Sequence, residues 1–392
     1  MSIKSPIWLT AAIGLLAIAS ASFGQEEQWL QYQSSRDVRS VLRVDVAGQY
    51  LKLISEKPEG VVLPDFKEDK PLFYKWPSPM TKNGHLFIAI DRAEKQGARD
   101  LLYIDSNGDG NLKDETAIQA YQAERQHSYF GPVKVIFQTE DGSTTYHLNF
   151  RLCDHDERPL WATPAGWYEG TITVGEAKKH CVLTDYDANG TFNDKSINFE
   201  GCDRIRIGEE DSSNTRFVGN YIEVDGTLYR LEVARDGACI KIAKAEDVVY
   251  GNFRVPQIIG EFAAGGENGL FNIKLENGLG RLPVGKYCVE HWTIERKDET
   301  GNNWKLEGRL FGSAGVFDVS TEKETEISIG EPAICTLEVA EDVPGYSFSR
   351  ILTGQLGELV RLTCNGDRPP PPKLHIKSED GEYDRTFAFE YG

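Results

Sequence analysis

The stretch Asp105-Ser-Asn-Gly-Asp-Gly-Asn-Leu-Lys-Asp114-Glu115 decides how the rest of the chain is read. It follows the apolar run Leu101-Leu-Tyr-Ile104, which predicts a strand. Oxygen-bearing side chains recur at alternate positions, Asp105, Asn107 and Asp109. Gly110 then allows a sharp turn that swings the carbonyl of Asn111 inward. A hard cation takes about six to eight oxygens at about 2.4 Å, and this spacing aims alternate side chains at one centre. The pattern returns as Asp185-Tyr-Asp187-Ala-Asn189-Gly190-Thr191-Phe-Asn-Asp194-Lys195, behind a second strand-like lead-in, Cys181-Val-Leu-Thr184. Asn-Gly and Asp-Gly pairs also make turns without any metal. The case for a cation therefore rests on the repeat, with glycine at the sixth position and an acid at the tenth in both copies.

Both loops resemble the calcium loop of the EF-hand class, in its strand-flanked or dockerin-like form. The resemblance implies Ca²⁺ as the ion. It implies Asp105, Asn107 and Asp109 as side-chain ligands and Asn111 as a backbone ligand in the first copy. In the second copy those roles fall to Asp185, Asp187, Asn189 and Thr191. Both copies depart at the twelfth position, where Thr116 and Ser196 replace the bidentate glutamate. Asp114 or Glu115, and Asp194, are the substitutes. This departure implies a structural site in a calcium-rich exterior, with a dissociation constant of about 10⁻⁴–10⁻³ M. The first loop offers Asp105, Asp109, Asp114 and Glu115, whereas the second offers Asp185, Asp187 and Asp194 beside Lys195. Charge count therefore predicts tighter binding at the first loop.

Residues 1–24 read as a secretory signal with Lys4 as basic head, an apolar stretch over 7–18, and cleavage near Ala21 or Gly24. That stretch is too short to span a bilayer, and no second one of its length follows. The expectation is a secreted or periplasmic protein with no membrane span. A formal charge of -18 argues against nucleic acid and anionic surfaces as partners and favours divalent cations.

Glycine-punctuated, alternating runs predict a mostly β fold. An antiparallel β-domain over 25–250 carries both loops, and a β-sandwich of the immunoglobulin or prealbumin kind follows over 251–392. Strands are expected at 41–46, 50–54 and 85–90, with a coil over 58–79 and a short helix over 116–126. A hairpin over 133–152 and a meander over 221–243 follow. The turn Gly280-Arg-Leu-Pro-Val-Gly-Lys-Tyr287 resembles the Leu-Pro-x-Gly-x-Tyr turn of prealbumin-like domains. It also matches a phosphate loop by letter, but Tyr287 stands where Ser or Thr should bind magnesium. Of the seven cysteines, Cys335 and Cys364 share faces with aliphatic residues and are expected to point into the sandwich, where they could bridge its sheets. As a whole the chain resembles uncharacterised exported bacterial proteins of the planctomycete kind, which pair such acidic loops with a sandwich ending in Phe-x-Tyr-Gly, here Phe389-Glu-Tyr-Gly392. That resemblance implies an architecture and no reaction.

The chain holds no zinc-protease, nucleophile-elbow or Cys-x-x-Cys motif. The best-supported expectation is an exported calcium-binding structural or adhesion protein, its partner a protein or polysaccharide at the cell exterior. A second is a carbohydrate-binding module using Trp161, Trp167 and Tyr168. A third is a polysaccharide or peptide hydrolase using Asp154 and Asp156 beside His155, yet among 61 acids no pair stands out.

Overall fold

A computed structural model describes residues 26–390 apart from 45, 125, 140–141, 156 and 343–344. The expected signal over 1–24, Asp156, the hairpin turn at 140–141 and the final Tyr391-Gly392 lie outside the described residues. The chain is almost entirely β, with 53% of residues in strands and 3% helical, so sheet pairing and not helix packing positions every site.

The N-terminal part is built from four antiparallel sheets. At its centre is the hairpin His127–Thr139 with Gly142–Cys153, registered from Thr139 against Gly142 to His127 against Cys153. Alternation explains the pairing: Val133, Val135, Phe137, Tyr146, Leu148, Phe150 and Leu152 all face inward and are buried. A second sheet runs Thr215–Phe217, Arg204–Gly208, Ala177–Thr184, Gly166–Val174, Gln31–Ser34. The meander Tyr221–Val224, Thr227–Val233, Cys239–Lys244 turns first at Asp225-Gly226, where φ is 49° and 76°. Both angles are positive, as a two-residue type I′ hairpin requires. A fourth sheet pairs Leu72–Pro77, His85–Asp91, Leu101–Ile104 and Ile118–Gln119. One hydrophobic cluster, from Leu30 to Ile240, unites them.

A second cluster runs from Phe253 to Val360. It lies between an eight-stranded sheet, centred on Gly285–Lys297, and a small sheet of Leu279–Pro283, Tyr250–Arg254 and Thr325–Glu326. Phe253 of the small sheet meets Phe262 of the large one with ring centroids 5.1 Å apart. Tyr287 is fully buried and its hydroxyl donates to the Pro283 carbonyl at 2.7 Å, which closes the Leu-Pro-x-Gly-x-Tyr turn. Gly280 is required there, because a Cβ would come 2.2 Å from Phe253 Cζ. Strands flank this turn on both sides, so no helix N-terminus is present to cradle a phosphate.

Several expectations need correction. The 116–126 segment forms strands Ile118–Gln119 and Gln122–Ala123, not a helix; Ile118 pairs with Leu102 and Ala123 with Ser128. Open sheet edges outcompete the modest helix propensity of Ala and Gln. Conversely, 41–46 is not a strand. Val38–Leu42 is a helical turn capped by Asp37, which accepts the Ser40 N–H at 3.0 Å, and Val38 and Leu42 are buried one turn apart. The 58–79 segment is not all coil, since Leu72–Pro77 is a strand. Cys335 and Cys364 are free thiols, and Cys335 is exposed. Its neighbours Leu337 and Val339 are about half exposed, at 47% and 55%, so that strand face does not enter the sandwich core.

Candidate metal centre

Strand register creates the centre. Thr184, the last residue of its strand, pairs with Arg204, the first residue of the next. In an antiparallel ladder this sets Asp185, just past one strand, beside Asp203, just before the other. Asp185, Asp187 and Asp203 each bring a carboxylate oxygen within 4.8 Å of the others. Asp185 and Asp203 are buried, at 0% and 1% exposure.

The surrounding bonds fix these acids in place. Asp185 Oδ2 accepts from the Tyr146 hydroxyl at 2.8 Å and the Gly190 N–H at 2.7 Å. Asp203 accepts from the Tyr186 N–H at 3.0 Å and the Asp194 N–H at 2.8 Å. Asp194 Oδ2 accepts from Asn189 Nδ2 at 2.6 Å and Thr191 Oγ1 at 2.5 Å. The loop is also tied to the hydrophobic core. Trp76 Nε1 donates to the Ala188 carbonyl at 2.8 Å, and the Trp76 ring stacks on Tyr146 at 5.9 Å. Gly190 has φ 93°, and a Cβ there would sit 2.8 Å from Phe137 Cζ, so position six of the loop must be glycine.

These carboxylates repel one another. At 4.8 Å and an effective dielectric near 20, each like-charged pair costs about 3.5 kcal/mol. Burial, with mutual repulsion added, pushes Asp185, Asp187 and Asp203 above the ordinary carboxylate range. Either protons or a cation must relieve this. Asp187 Oδ1 is buried with no hydrogen-bond partner, which leaves a lone pair free to coordinate. The nearby Cys202 thiol donates to the Ser196 carbonyl at 3.1 Å. The remaining donors are all oxygen, a set that fits a hard divalent ion such as Ca²⁺.

The first loop is arranged differently. Asp105 is buried and accepts the N–H groups of Asp109 and Gly110, both at 3.0 Å. Asn107, Asp109 and Asp114 are exposed. Asn107 Oδ1 accepts the Asp109 N–H at 3.0 Å, and Asn111 Oδ1 accepts the Lys113 N–H at 3.1 Å. Glu115 is bound to Ser106, accepting its N–H at 2.6 Å and its hydroxyl at 2.9 Å. Among the described residues, the group of three acids close enough to share an ion is formed by Asp185 and Asp187 of the second loop with Asp203. The Lys195 ammonium donates to Asn220 Oδ1 at 3.0 Å. Asp203 has no counterpart in the loop pattern. The faint signal for it is an acid immediately before the alternating run Arg204-Ile-Arg-Ile.

The other sequence candidates do not gather into sites. Trp167 and Tyr168 are buried, at 5% and 6% exposure, so no flat face joins them to Trp161. Trp161 lies on another sheet, edge-on to Tyr50 at 5.1 Å. Asp154 is held by Arg99 Nη1 at 2.5 Å, which itself is bound to Glu68 at 2.6 Å. That network engages Asp154 in bracing the fold, and its expected partner Asp156 lies outside the described residues. No family of proteins, curated protein or solved structure matches the chain.

Proposed function

We propose that this is an exported calcium-binding protein of structural or adhesive role, in which the ion consolidates the fold and performs no chemistry. Asp185, Asp187 and Asp203 hold the ion, with Asn189, Thr191 and Asp194 completing the oxygen shell. The observation that carries this reading is that Asp187, one of whose oxygens is buried and unpartnered, brings a carboxylate oxygen within 4.8 Å of two buried carboxylates. Ions bound only by the folded chain add their binding energy to stability. The acidic composition, the signal-like sequence of 1–24 and the paired loops together favour an extracellular setting, where calcium is plentiful. Among the described residues no helix is long and apolar enough to cross a membrane. The two stacked sheets of the C-terminal part suit a spacer of immunoglobulin or prealbumin type.

The test is thermal or urea unfolding of the mature chain in calcium and in chelator. At a hundredfold excess over the dissociation constant, one site adds about 2.7 kcal/mol. An identical midpoint in the two conditions refutes the proposal.

A further inference from the structure

A cleft of about 800 Å³ opens between the 197–217 segment and the strand Gly285–Lys297. Its walls are mainly apolar and include Phe199, Phe217, Leu270 and Phe311. That size and lining are typical of small-molecule sites. Leu310, also on the wall, is 59% exposed and adopts φ 60°. A leucine held in left-handed backbone is strained, and such strain concentrates at binding sites. Gly265 makes room for the wall, because a Cβ there would lie 2.5 Å from Phe217 Cε2 and 3.2 Å from Glu290 Cγ.

Glu290 supplies the charge. Among the described residues no donor hydrogen-bonds to its carboxyl group. The cations nearby are engaged elsewhere. Arg204 donates to the carbonyls of Cys202 and Phe199, and its guanidinium is covered by the rings of Tyr186 at 3.8 Å and Phe217 at 4.4 Å. His291 Nε2 is 3.1 Å from Glu307, which also binds Arg309. The cleft thus holds a half-buried carboxyl group that no described residue hydrogen-bonds, beside aromatic faces that attract positive charge.

We propose that this cleft binds a small organic cation, its ammonium group on Glu290 and its apolar body against Phe199, Phe217 and Phe311. A neutral ligand of the same shape leaves the carboxylate unpaired, and an anion meets it with repulsion. None of the residues lining the cleft is among those proposed to hold calcium.

Ionisation of Glu290 adds a signature. Burial pushes its carboxyl up to about 7, against the pull of Arg204. The other titratable groups facing it are quiet near neutrality: burial pushes Cys202 and Cys288 up to about 11 and His291 below its ordinary value. Arg204 remains charged. A cation therefore binds more tightly as pH rises.

The experiment is calorimetry on the full mature chain with benzylamine, benzyl alcohol and benzoate as probes. Benzylamine is expected to bind saturably and at least about tenfold more tightly than the other two, the worth of one charge-assisted bond. Its affinity should rise about fourfold between about pH 6.5 and about pH 8, as Glu290 ionises while the amine stays protonated. Glu290→Gln should abolish both the preference and the pH dependence. Thr215→Trp, which fills the cleft and keeps Glu290, should remove binding and serves as the second variant if the first misfolds. The proposal is overturned by any of three results: no saturable benzylamine binding, equal binding of benzyl alcohol or benzoate, or benzylamine binding that survives Thr215→Trp.

Discussion

Asp187→Asn should raise stability in chelator and remove most of the stabilisation that calcium gives the parent chain. Asparagine keeps the volume of aspartate, so packing contributes equally in both conditions. The carboxylate lies within 4.8 Å of those of Asp185 and Asp203. Each repulsion is about 3.5 kcal/mol at an effective dielectric near 20, which sets a ceiling of about 7 kcal/mol on the strain removed. Proton uptake by the crowded acids already relieves most of it. The net gain in chelator is therefore about 1–3 kcal/mol of added stability. In calcium the variant loses a ligand charge and the oxygen that had no other partner. It should then forfeit most of the ion's contribution, about 2.7 kcal/mol at a hundredfold excess. Urea unfolding of both proteins, in chelator and in millimolar calcium, measures the four free energies. A variant that is destabilised equally in both conditions refutes the electrostatic reasoning, because the loss would then be local packing alone.

The remaining predictions concern the loops and the aromatic core. Calorimetry should show that Asp185→Ala loses the tighter calcium event and Asp105→Ala the weaker; the reverse order would restore the loop charge count as the deciding factor. Trp167→Ala should cost about 3–5 kcal/mol in denaturant unfolding, because Trp167 packs on Val38, Leu42 and Val182. Trp161→Ala should cost less than about 1 kcal/mol, as its ring is 36% exposed. Gly190→Ala should lower stability by about 2 kcal/mol or more in calcium, since φ is 93° and the new Cβ meets Phe137. A neutral effect there would mean that the second loop rearranges freely.

The fold class and most hairpins were legible because strand alternation and Asx-Gly turns are local signals. Val133, Val135 and Phe137 alternate inward, and Asp225-Gly226 takes the two positive φ angles that its residue types favour. Errors arose where partners distant in sequence decided the outcome. Ile118 became a strand residue because Leu102 offered an edge, and nothing within 116–126 announces that. The Val38–Leu42 turn was hidden by an alternating run that the Asp37 cap overrode. The same limit applies to the candidate metal centre. Loop spacing marked Asp185 and Asp187, but Asp203 joins them only through the pairing of Thr184 with Arg204. Lys195 counted against the second loop by adjacency alone, and its side chain turns to Asn220.

The most direct test of the central claim is anomalous diffraction from crystals of the mature chain grown with calcium. A peak is expected about 2.3–2.6 Å from one oxygen each of Asp185, Asp187 and Asp203, with about six to eight oxygens in all. A peak confined to the Asp105 loop, or a water molecule among the three acids, would contradict the account.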